Sequence, residues 1–206
     1  MSGIGPTRSA VIELKDERRA MHEGYVFLDE KCLLLAGEIL RQLARQATLR
    51  RALDAAHAAA VVALQAAVAR HGLHGLQVAP APGALPGRLQ VQPGTLMGVT
   101  LQEVVLAPGT AEAEAEAAAA VEASPELEAC RRAFAALAAA AVPLAAVEGN
   151  LERLSAEYRR AVRRARALQD VMLPELDGSI RDVEGRLEEL EQEEAVFLRA
   201  GARPRD

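Results

Sequence analysis

Tryptophan is absent from this 206-residue chain, and it holds only two tyrosines and three phenylalanines. Enzyme cores of this size lean on large aromatic anchors, and modules that stack nucleobases need exposed rings. The scarcity argues against both, and against a β-sandwich or an aromatic-lined pocket. Lysine is nearly as rare. Lys15 and Lys31 are the only two, and the other 22 basic residues are arginines. A phosphate-binding loop needs a lysine after its glycine-rich turn, and the glycine-rich middle of this chain has none. The two cysteines, Cys32 and Cys130, suit a reducing compartment better than a disulfide framework. Met1 to Arg8 has no apolar core of the kind a secretion signal carries. The longest uncharged runs, Ala55–Ala69 and Ala133–Val147, hold 15 residues each. That falls short of the roughly 18–20 a membrane span requires, and the second run contains Pro143, so no transmembrane helix is expected.

What is abundant is alanine, with 44 residues. Alanine is the best helix former and contributes little burial, so the 50% hydrophobic content overstates the core. The net charge of −5 is not the footprint of a general nucleic-acid binder, and it is unevenly placed. Residues 112–128 carry six acids and no base, residues 159–166 five arginines and no acid, and residues 174–206 ten acids against five arginines.

Apolar residues recur at alternating steps of three and four from Val11: Leu14, Met21, Tyr25, Leu28, Cys32, Leu35 and Ile39, with Arg18 the one polar intruder. That is a heptad seam. It continues, diluted, through Gln42, Gln46, Leu49, Leu53, Ala56, Ala60, Ala63 and Ala67. Thr7 is placed to cap this helix, and His71-Gly72 to end it. Some 65 residues of helix would form a rod of about 98 Å. A second seam starts after Ser124-Pro125, a cap followed by proline at the first helical position. It runs from Leu127 through Leu144, Leu154, Ala161 and Ile180 to Phe197, and Gly201 and Pro204 close it. Its rhythm slips at Leu144–Val147, beside Pro143, and at Met172–Leu176–Ile180, beside Pro174. Such stammers and stutters change the local winding, and bends are expected there. The implied fold class is all-α: a long antiparallel two-helix coiled coil with a small β-hairpin inserted between the helices. Residue i should lie near residue 200 − i. Cys32 and Cys130 would then sit tens of Å apart, too far for a disulfide.

Three segments follow: an N-terminal arm over 1–72, a connector over 73–123 and a C-terminal arm over 124–206. In the connector, Pro80, Pro82, Gly83, Pro86 and Gly87 predict a loop. Leu89–Gln92 alternates like a strand, Pro93-Gly94 signals a turn, and Leu96–Leu106 is a second β-like stretch. Ala111–Ala123 is acidic, helical or disordered.

Catalytic chemistry finds little support. His71 and His74 lack further ligands for a metal and read as a helix-terminal turn. Glu188-Glu189 and Glu193-Glu194 read as a solvated helix face. No nucleophile–base arrangement stands out, so no catalytic residue, metal or cofactor is assigned. The strongest electrostatic feature is the cluster Arg159, Arg160, Arg163, Arg164 and Arg166. It either pairs within the hairpin, with acids such as Glu38, or forms a basic collar against acidic loops of a surrounding partner.

Motifs along the whole chain carry a resemblance. They are Pro6-Thr7-Arg8, Leu14-Lys15, Gly24, Leu28, Lys31 and Leu35 in the first arm, and Met97-Gly98-Val99 between the arms. The second arm adds Arg159-Arg160, Arg163-Arg164, Ala167-Leu168, Leu173-Pro174, Leu176, Ile180 and Leu187-Glu188-Glu189. Together they resemble the D subunit of the V-type (A/V-type) ATPases and ATP synthases, the central rotor shaft. The resemblance implies a non-catalytic, cytoplasmic component, peripheral to the membrane as part of the complex. It would couple ATP hydrolysis or synthesis to proton or sodium movement by rotation. Its implied partners are the catalytic and non-catalytic headpiece subunits around the paired termini, the small F subunit of the stalk, and a membrane-side socket subunit. No nucleic acid and no direct membrane insertion are implied. The five arginines and Met97, Gly98 and Val99 are the candidate partner contacts. The facing alanine-rich runs 55–69 and 133–147 are the candidate surface for the small F subunit. The competing reading is a free-standing antiparallel coiled-coil scaffold or adaptor protein.

Overall fold

A computed structural model of the protein describes residues 7–78, 88–107 and 124–201. The element order is α1 (Arg8–Val78), β1 (Arg88–Leu96), β2 (Val99–Ala107), α2 (Pro125–Ala167), a π-helical turn (Leu168–Met172) and α3 (Leu173–Gly201). The expected fold class holds: long helices dominate, with one two-stranded antiparallel sheet between them in sequence. The expected loop at 80–87 and the acidic stretch 111–123 lie outside the described residues.

Both helix starts follow their caps. The Thr7 hydroxyl accepts from the Ala10 N–H at 3.2 Å. The Ser124 hydroxyl accepts from the Leu127 N–H at 3.1 Å. Each satisfies a donor that the first helical turn would otherwise leave unpaired. The break expected at Gly72 is present, with φ of 69°, but helix resumes beyond it to Val78.

The chain divides into two compact units. One joins the start of α1, up to Leu34, to the chain from Tyr158 onward. Here Arg8 pairs with Glu191 at 2.7 Å, Lys15 with Glu184 at 2.7 Å, and Arg18 with Asp177. The partner number falls as the α1 number rises, so the helices run antiparallel near the expected 200 − i register. Every base is on α1 and every acid on α3, which locates the acid excess of residues 174–206. These pairs are solvent-exposed, so they select register more than they stabilise. The buried seam is Val11, Ala161, Ala165 and Ile180.

The stutter beside Pro174 has a structural counterpart in the π-helical turn. Proline at 174 has no N–H, and its ring crowds the carbonyl of residue 170 in a regular helix. The chain widens instead: the Leu173 N–H bonds to the Leu168 carbonyl, five residues back. One residue is thereby accommodated without ending the helical run. Gly24 packs at this place, where a Cβ would stand 3.8 Å from Leu168 Cδ1.

The other unit spans Leu35–Glu157. Its seam holds Leu35, Ala60, Ala67, Cys130, Leu144, Val147 and Leu154, all buried as the heptad reading expects. Leu35 and Leu154 are the largest side chains with essentially no exposure. Gln46 reaches Glu148, and Arg70 pairs with Glu126 at 2.9 Å, again antiparallel. Helix α2 continues through Pro143. Both cysteines are free, and burial pushes both thiols above the usual range. Each long helical run also contains an 18-residue window apolar enough, by length and composition alone, to cross a membrane, and little of either window is buried.

The hairpin corrects the sequence reading. Pro93-Gly94 is not the turn; both residues lie inside β1. The turn is Met97-Gly98, with φ of 48° and 83°. Two successive left-handed residues make the tight turn that matches strand twist. Counting from the closing pair Leu96–Val99, Pro93 faces Gln102 at a non-hydrogen-bonded rung. There the backbone N–H points out of the ladder, so the missing donor of Pro93 removes no rung. The turn signal misled because proline fits this rung as well as it fits a turn.

Candidate partner interface

The five arginines lie on the α2 stretch that belongs to the first unit, and all are exposed. Arg159, Arg163 and Arg166 share one stripe at steps of four and three; Arg160 and Arg164 share another. Between them the buried Ala161 and Ala165 form the seam. Small residues inward and long cations outward make a basic collar on a slender support. Arg163, Arg164 and Arg166 have no hydrogen bond or ion pair among the described residues, whereas Arg159 and Arg160 are not free of partners. Glu38, the suggested internal partner, is buried and accepts from Arg41 and from Gln42 Nε2, the latter at 2.8 Å.

Met97, Gly98 and Val99 belong to the second unit. Met97 and Gly98 form the hairpin tip, and Val99 is buried beneath it. The tip itself thus presents Met97 and Gly98, while Val99 anchors them.

One residue that the sequence reading passed over holds the hairpin in place. Asn150, on α2, is buried. Its Oδ1 accepts from the Gln102 backbone N–H at 2.8 Å, and its Nδ2 donates to the Gln102 carbonyl at 2.8 Å. A donor at one end and an acceptor at the other fix the amide orientation. Arg153 Nη2 also donates to Oδ1, at 2.7 Å. Gln102 is the residue opposite Pro93, and both of its outward backbone groups are taken by one side chain. The other polar tie is Arg45 to Glu103 at 2.7 Å. That pair is half-exposed on both sides and contributes about 0–1 kcal/mol. Leaving a buried amide unsatisfied costs about 1–3 kcal/mol per group, so Asn150 dominates. An asparagine at a seam position between Val147 and Leu154 was the available signal.

At the other end of this unit, His71 Nε2 lies 2.6 Å from the Ser124 hydroxyl. The histidine therefore serves the cap of α2. Glu126 is held below the usual carboxylate range by its backbone hydrogen bond and by Arg70 and His71. Among the described residues no group of three His, Cys, Asp or Glu could hold a metal ion.

Large apolar residues remain uncovered. Val196, Phe197 and Leu198 are exposed, Phe197 by 78%. Three consecutive helical residues span most of a turn, so a single partner helix cannot cover them. Ile12, Leu33, Leu34 and Leu40 on α1 are exposed as well. Patches of this kind mark surfaces meant for burial by other molecules.

The family model for the ATP synthase D subunit matches residues 10–200. The chain belongs to the ATP synthase D-subunit family. A V-type ATP synthase D subunit from Anaeromyxobacter dehalogenans is 29% identical, covering 97% of this chain and 95% of the relative. An A-type ATP synthase D subunit from Thermococcus gammatolerans is 26% identical, over 95% and 92%. One from Methanopyrus kandleri is 26% identical, over 97% and 85%. The match spans most of both helical arms and the hairpin between them.

Proposed function

We propose that this protein is the central-stalk rotor of a V/A-type ATPase or ATP synthase. It is non-catalytic and couples ATP hydrolysis or synthesis in the headpiece to proton or sodium translocation by turning. Family membership over residues 10–200 carries the reading. The physical features agree with it. A two-helix shaft needs no pocket, and supercoiling resists torsion. The uncovered Val196–Leu198 and Ile12 fit a surrounding bearing of catalytic and non-catalytic subunits. The collar of Arg159, Arg160, Arg163, Arg164 and Arg166 suits acidic loops of that ring.

The remaining partners are the small F subunit of the stalk and a membrane-side socket subunit. Runs 55–69 and 133–147 are the proposed face for the small F subunit, where Val61, Val62, Leu64 and Phe134 are exposed beside alanine. Met97 and Gly98, supported by Val99, are a second partner contact. On this reading the arms 1–72 and 124–206 form the shaft, and 73–123 is its insertion. The protein is cytoplasmic and peripheral to the membrane, and neither uncharged run inserts. Copurification from the native host tests the proposal. A rotor brings down ATPase subunits with phosphate-loop motifs. A monodisperse homodimer without them would favour the scaffold alternative.

A further inference from the structure

We infer that Asn150 is a latch, and that the β-hairpin has a second, undocked state reached without unfolding the helices. The latch rests on one rung. Gln102 turns its backbone N–H and carbonyl away from β1, because Pro93 faces it at a non-hydrogen-bonded pair. Asn150 meets both groups at 2.8 Å, and Arg153 holds the carboxamide from behind at 2.7 Å. Along β1, Leu89–Thr95 is exposed throughout, so this strand adds little to docking. What remains is the buried Val99, the half-buried Leu96, Met97, Leu101, Val104 and Leu106, and the exposed Arg45–Glu103 pair. The buried carboxamide therefore holds the register of a docking whose apolar contacts are otherwise mostly half-buried.

Release has a structural consequence. It uncovers Val99 together with the half-buried Leu96 and Leu101, which the register puts on the same face, giving the hairpin an apolar face that the docked state hides in part. An isolated two-stranded hairpin is marginal in water, so undocking also loosens its own ladder. The latch is independent of the rotor reading.

Amide hydrogen exchange on the full chain tests this. In the unaltered protein the Gln102 amide is protected although it points out of the ladder. Asn150→Ala should speed its exchange at least tenfold, and that of the ladder amides Leu101 and Glu103 with it. Amides flanking Leu154 should keep their protection. Gln102→Pro is the second variant. It deletes the N–H that Asn150 reads and leaves the carbonyl, at a rung where the ladder loses no bond, and the side chain it removes is exposed. It should release the hairpin in the same way, and the double variant should be no looser than either single one. Unchanged exchange at Leu101 and Glu103 in both variants would overturn the latch. So would loss of protection around Leu154 in step with the hairpin, or two effects that simply add.

Discussion

Leu154→Ala is the sharpest probe of how the helices of its unit are held together. Much of the seam is alanine, which buries little area, so the few full-sized side chains carry an outsized share. Leu154 has no exposed surface, and among the described residues of its unit only Leu35 is a comparably large, fully buried residue. Truncation removes three carbons, worth about 2.4 kcal/mol at roughly 0.8 kcal/mol per buried methylene. The cavity adds to this where neighbours cannot collapse, bringing leucine-to-alanine changes to about 2–5 kcal/mol. Two helices side by side relax more easily than a dense globule, so about 2–3 kcal/mol is expected. The internal control is Leu33→Ala, at a site 69% exposed, which should stay within about 0.5 kcal/mol. Urea unfolding followed by circular dichroism measures both. If Leu154→Ala shifts the transition no further than Leu33→Ala, the seam does not lie where the heptad pattern puts it.

Other expectations follow from single contacts. Arg18 holds the Asp177 carboxyl below its ordinary value of 3.8, through a hydrogen bond first and charge second. A depressed carboxylate stabilises the fold above its unfolded pKa and loses that contribution as pH falls through the folded one. Thermal melts should therefore drop as pH falls below about 4, and Asp177→Asn should flatten part of that drop. Gly24 sits inside α1, and a Cβ there meets Leu168 only at ordinary contact distance. Gly24→Ala should raise stability by up to about 1 kcal/mol, read by urea titration, whereas destabilisation would mean tighter packing at the π-helical turn. Met97 adopts a positive φ that costs an ordinary side chain about 1–2 kcal/mol. Met97→Asn makes the favoured Asn-Gly turn and should slow amide exchange across the hairpin.

The helices were legible in the sequence because their signals are local and repeated. The steps from Val11 to Ala67, and from Leu127 to Ile180, mark positions that are buried or half-buried in both units, apart from Arg18, Phe134 and Met172. The caps Thr7 and Ser124 needed only near neighbours. The slip beside Pro174 predicted irregular winding, and a π-helical turn stands there. What escaped depended on residues far apart in the chain. Pro93 reads as a turn residue until its rung partner is known. Asn150 reads as an oddity until Gln102, 48 residues away, supplies both of its bonds. His71 reads as a weak ligand until Ser124 stands beside it. The arginine collar was visible as charge, but its arrangement around Ala161 and Ala165 needed the helix.

The rotor account stands or falls on motion. A cysteine placed at Thr95, near the exposed hairpin tip, would carry a bead on the assembled complex with its headpiece fixed to a surface. On ATP addition the account predicts stepwise, one-way turning of the bead. A bead that stays still while the same complexes hydrolyse ATP would contradict it.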